Sequence, residues 1–112
     1  MAKLERTFYH NDFDRLLEKI EEGIINGSVS ASMEDQSDFE AGGSRCSVRV
    51  FERYSWSGGN RLSMSVTLFQ AGEEIHLSAI TAGGSQAVFW KLNTIGEESF
   101  LEKLAEILED EL

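Results

Sequence analysis

Proline is absent from this 112-residue chain, and cysteine occurs once. Without proline, glycine becomes the main punctuation between elements. A single thiol, Cys46, excludes an internal disulfide and suits a reduced protein of the cytoplasm. Histidine occurs only at positions 10 and 76. Two histidines and one cysteine, widely separated, do not make a zinc pattern, so no metal or other cofactor is expected. No run approaches the roughly 18 apolar residues that span a bilayer, and Met1 to Arg6 carries no apolar core of a secretory signal. Basic residues are scarce too: 10 against 20 acids, for a formal charge of −10. That argues against general binding to nucleic acid or to anionic membranes, both of which need a cationic surface.

What charge there is has a pattern. Residues 1–40 hold four bases and ten acids, a net of −6. Residues 41–72 hold Arg45, Arg49, Arg53 and Arg61 against Glu52 alone, a net of +3. Residues 73–112 hold two bases and nine acids, a net of −7. A basic middle therefore lies between acidic ends.

Hydropathy supplies the elements. Phe13, Leu16, Leu17, Ile20 and Ile24 recur at helical spacing, predicting a helix over about 12–25, capped by Asn11 and stopped at Asn26-Gly27. The period then falls to two. Val29, Ala31 and Met33 read as a strand, and residues 34–43 as a polar loop. A strand over about 44–56 is expected to bury Cys46, Val48 and Val50, with Tyr54 and Trp56 extending the core. Arg45, Arg49, Phe51 and Arg53 then point outward. After a turn at Ser57 to Asn60, residues 61–71 alternate with Leu62, Met64, Val66 and Leu68 inward, and Arg61 and Phe69 outward. A further strand puts Ile75, Leu77 and Ala79 inside and His76 outside. Residues 87–92 read as a short fifth strand. Thr94 and Glu97 fit a capping box opening a C-terminal helix with the stripe Phe100, Leu101, Leu104, Ile107 and Leu108.

These elements predict one α+β domain over residues 1–112. It has two layers: an antiparallel sheet of four or five strands, with the N-terminal and C-terminal helices packed on one face, in the order α-β-β-β-β-(β)-α.

Catalytic and ligand motifs are thin. Cys46 inward and His76 outward would stand on opposite sides of the sheet, which separates the partners of a Cys/His dyad. Counted from Asp35, the acidic loop places Glu40 where a calcium loop needs glycine and Cys46 where it needs glutamate. Gly83, Gly84 and Ser85 could cradle an anion, yet paired glycines at 42–43 and 58–59 show the same dipeptide used as turns. The outward set Arg45, Arg49, Phe51, Arg53, Arg61 and Phe69 is the leading candidate surface. Arginine with aromatics suits an anionic ligand, an acidic protein partner or single-stranded nucleic acid. The expected function is thus non-enzymatic binding or self-association through the uncovered sheet face, including a homo-oligomer or a basic sheet docked on an acidic helix of another copy. A small acidic chaperone for a protein client is the alternative. An enzyme is the third reading, to be marked by a pocket holding His76 with a carboxylate in reach.

Gly58-Gly59-Asn60-Arg61, the run Leu77 to Ala87, Asn93 to Glu98, and Cys46 to Tyr54 together resemble a family of small bacterial proteins known only as a domain of unknown function. The resemblance covers nearly the whole chain. It implies a bacterial cytosolic protein and carries no activity or catalytic residue.

Overall fold

The computed structural model describes residues 1–55, 60–83 and 90–111. Seven elements follow one another: β1 (Ala2–Tyr9), α1 (Phe13–Asn26), β2 (Ser32–Ala41), β3 (Ser44–Ser55), β4 (Asn60–Ala71), β5 (Glu74–Gly83) and α2 (Trp90–Glu111). The strands form one five-stranded sheet in the order β1-β5-β4-β3-β2. All four pairings are antiparallel. Three successive hairpins lay β2 to β5 side by side, and β1 closes against β5. The architecture is α+β, as the hydropathy pattern predicts.

α1 forms where its stripe lies. Phe13, Leu16, Leu17, Ile20 and Ile24 are all buried. Its cap is Asp12 rather than Asn11: the Asp12 carboxylate accepts the Arg15 backbone N–H at 3.1 Å. Phe100, Leu101, Leu104 and Leu108 of α2 join them over Leu62, Met64, Val66, Leu68, Ile75, Leu77 and Ala79 of the sheet. Both helices thus cover one face. Where they cross, α1 presents Gly23, and a β-carbon there would collide with the Ile107 side chain of α2.

Four local expectations are corrected. The sheet's first strand is β1, an edge strand with only Ala2, Leu4 and Phe8 partly buried against the core, too weak a period to stand out. The strand expected at Val29 to Met33 begins at Ser32 and runs through the supposed loop to Ala41. Val29 itself is fully exposed. β2 is held by backbone pairing to β3, not by an apolar period of its own, and Gly42 and Gly43 at φ 58° and 82° make the two-residue turn between them. α2 starts at Trp90, so residues 90–92 are helical rather than a strand, and Thr94 lies inside the helix. Residues 87–89 and Trp56 lie outside the described residues.

The most consequential correction concerns β3. In the β3–β4 register Phe51 stands opposite Met64, Arg49 opposite Val66 and Arg53 opposite Leu62. Opposed residues of an antiparallel pair share a face. Phe51, Arg45, Arg49 and Arg53 therefore point toward the helices, and Phe51 is completely buried. Cys46, Val48, Val50 and Tyr54 point the other way. We expect Phe51→Ala to lower stability by about 3–5 kcal/mol in urea denaturation. Val50→Ala, one residue away on the opposite face, should cost about 1 kcal/mol or less.

Candidate functional site

The arginines of β3 bind the layers together instead of facing solvent. Arg45 lays its guanidinium 4.3 Å from the centre of the Phe13 ring and donates to the Asp14 carboxylate at 2.7 Å. Arg49, with its side chain only 7 % exposed, reaches Glu21 of α1 at 2.8 Å and Asp38 of β2 at 3.0 Å. It also donates to the Val48 carbonyl at 3.0 Å. Arg53 stacks 4.4 Å from the Phe100 ring centre of α2. Arginine suits such places because its stem packs against apolar groups while its planar head stacks and hydrogen-bonds. The expectation that these arginines form an open surface is thereby corrected: Arg45 and Arg49 are met by Asp14 and Glu21 of this chain's own α1, and Arg53 by the Phe100 ring of α2.

Electrostatics follow from the contacts. Burial disfavours the Arg49 charge, but its hydrogen bonds to Glu21 and Asp38 outweigh that and raise its pKa. A hydrogen bond from Ser47, then one from Arg49, hold the Asp38 carboxyl below the usual range. The Arg45 hydrogen bond does the same for Asp14. Burial alone lowers the pKa of Arg53.

The uncovered side of the sheet is a different surface from the one expected. Of the six candidate residues only Arg61 and Phe69 lie on it. Arg61 is paired with Glu52 at 2.5 Å, and its guanidinium lies 5.4 Å from the Tyr54 ring centre. Phe69 is 39 % exposed. Around it lie Phe39 at 58 %, Ile80 at 41 %, and the half-buried Cys46, Val48 and Val50. Phe39 and Ile80 went unnoticed because one sits in an acidic run and the other beside the inward residues of its strand. The parity that places Phe69 outside also places Ile80 there, through the pairing of Ser65 with Ile80. The face is thus uncharged at its centre, where apolar side chains alternate with serine and threonine, and not cationic.

At the β1–β5 corner of this face Thr7 Oγ1 lies 3.2 Å from His76 Nδ1, and His76 Nε2 lies 2.7 Å from the Glu74 carboxylate. His76 has a carboxylate in reach, but both side chains are nearly half exposed on a pleated surface rather than in a cleft. Burial raises the pKa of the Cys46 thiol, with the Asp38 charge adding to it, so the thiolate is disfavoured. Of the candidate anion loop, Gly83 ends β5 opposite Leu62, while Gly84 and Ser85 lie outside the described residues. Among the described residues no three His, Cys, Asp or Glu side chains gather to hold a metal. No described helix is long and apolar enough to cross a membrane.

Two outcomes follow from the covered arginines. Arg49→Glu, which sets a carboxylate against Glu21 and Asp38, should cost at least about 3 kcal/mol in urea denaturation, whereas Arg61→Glu on the open face should cost about 1 kcal/mol or less. Asp14 and Asp38 have depressed folded pKa values, so their contribution to stability is present above the unfolded value of about 3.9 and disappears as pH falls through the folded values. The urea midpoint should therefore drop below about pH 4, and Asp38→Asn should remove part of that drop.

The chain covers 88 % of its length against 81 % of a crystal structure from Pseudomonas aeruginosa, PA94, a protein of unknown function named as a candidate regulator, with a TM-score of 0.54 at 8 % identity. At that identity the likeness is one of fold. No curated protein matches the chain. A family model does match, over residues 1–111, and it spans every element from β1 to α2: the chain belongs to the family of unknown function DUF6054.

Proposed function

We propose that this chain is a non-enzymatic binding module of the cytoplasm whose working surface is the uncovered face of the sheet. The observation that carries the reading is the exposure of Phe39, Phe69 and Ile80 on one pleated surface, with Val48, Val50 and Cys46 half-covered between them. Single exposed apolar residues need no explanation, but several of them on one flat face without charge at its centre support an interaction site. The chemistry on offer is apolar contact interspersed with serine and threonine hydroxyls, not the anion recognition that the arginines first suggest.

The Thr7, His76 and Glu74 contacts lie on an open pleated surface, with the His76 side chain 47 % and the Glu74 side chain 40 % exposed, rather than in a cleft, and this supports binding over catalysis as the use of the face. An apolar segment of a client protein would suit the surface as well as a folded partner, so a chaperone-like role remains the alternative use of the same residues. Native mass spectrometry of freshly purified protein separates these cases. The wild-type chain should retain a partner, whether a second copy or a foreign molecule. Phe39→Ser/Phe69→Ser should lose it without a change in the urea midpoint of more than about 1 kcal/mol equivalent. A bare monomer in both forms, or a partner retained equally by both, would overturn the reading.

A further inference from the structure

We propose that the occupant of this face is a second copy of the chain, packed sheet on sheet about a two-fold axis running parallel to β4. The proposal rests on the reading of the open face as a binding surface and adds the partner and the geometry.

Because opposed residues share a face, the open-face side chains form rows across the sheet. One row is Asp35, Val50, Ser65, Ile80 and Lys3. The next is Ser37, Val48, Thr67, Ser78 and Glu5. The third is Phe39, Cys46, Phe69, His76 and Thr7. None of the three rows holds Asp, Glu, Lys or Arg at its three central positions. Formal charge sits at the edges of the sheet, on Lys3, Glu5 and Asp35, or at the strand ends, on Glu52, Arg61 and Glu74. This is the layout of a protein interface, with an uncharged centre and a polar rim. Two copies carrying −10 each repel over most of their surfaces. Here the face carries four acids and two bases, so approach through it meets far less opposition.

The rows also select the axis. Only two in-plane two-folds stack these sheets with their strands aligned. An axis perpendicular to the strands and centred on the Thr67 row sets Phe39 against Asp35 of the partner subunit, an apolar group against a carboxylate, and Glu5, which its own Lys3 holds at 3.1 Å, against Glu5 of the partner subunit. An axis along β4 leaves each row over itself and reverses its order. Asp35 then meets Lys3 of the partner subunit, twice by symmetry, so that Lys3, which Glu5 of its own chain holds at 3.1 Å, stands between two carboxylates, and Val50 meets Ile80 of the partner subunit. Phe69 meets its own counterpart on the axis. Arg61 does too, but Glu52 already neutralises it at 2.5 Å. Twisted sheets of the same hand pack this way, about 10 Å apart with strands within about 30°.

The size fits as well. Strands of 8 to 12 residues, spaced about 4.8 Å apart with a rise of about 3.3 Å per residue, give the face a footprint of about 800 Å². A standard stable interface needs about that much from each partner.

Sedimentation equilibrium of the full chain tests this, with charge swaps as the register-specific arm. The wild type should be a dimer and Phe69→Arg a monomer. Lys3→Glu and Asp35→Lys should each weaken the dimer by about tenfold, and the double variant should recover most of that loss because the pair is restored with its signs exchanged. Cys46, the single cysteine, should react with a maleimide more slowly in the dimer than in Phe69→Arg. A dimer that survives Phe69→Arg overturns both the proposal and the face on which it rests. A dimer that Phe69→Arg abolishes but the double variant does not rescue overturns the axis and leaves the face. A wild-type monomer that retains a foreign molecule in native mass spectrometry overturns the second copy alone.

Discussion

The pairing of Phe51 with Met64 decides what each side of this molecule is for. Once those two residues stand opposite each other, every second residue of β3 is committed to the helix layer, and three arginines go with Phe51. They could not be accommodated in a purely apolar interior. They are accommodated here because α1 offers Asp14 and Glu21, β2 offers Asp38, and Phe13 and Phe100 offer ring faces to stack on. The acidic helices and the basic strand are two halves of one arrangement. Charge that looked like surface chemistry is spent on joining the layers.

Much of the architecture was legible in the residues. α1, β4 and β5 show clean periods, and each buries the residues that its period names. β3 reads the wrong way round because both of its parities look half-apolar: Cys46, Val48 and Val50 on one side, Phe51 and the arginine stems on the other. Hydropathy scores an arginine as outward, although its stem and planar head suit a covered site beside a carboxylate. Only the cross-strand register resolves such a tie, and register is a property of two strands, not one. β1 and β2 are edge strands, held by backbone hydrogen bonds on one side and largely exposed, so they leave little trace in side-chain periodicity. Two of the six candidate surface residues, Arg61 and Phe69, lay where the sequence places them. The rest of the face emerged only once β3 was turned over.

The end of α2 shows a similar division of labour. Its last turn contains no basic residue, although a helix C-terminus favours a cation. Arg15 of α1 meets that need from outside, with its Nε 2.9 Å from Glu111, and His10 stands 3.7 Å from the same carboxylate. The helix end is thus tied to the junction between β1 and α1. Asp14, Glu21, Asp38 and Glu111 each meet a base from a neighbouring element.

The outer rim of β2 carries one more implication. Its free edge is ten residues long, and strands of that length can recruit others of their kind. Glu34, Asp35, Asp38 and Glu40 guard it with negative charge, and a register shift between Met33 and Asp35 disturbs its straightness. The guard is ionic, and the strand that carries it also reaches inward, where Asp38 meets Arg49 at 3.0 Å, so one short segment both holds the layers together and keeps the open rim from pairing with its like.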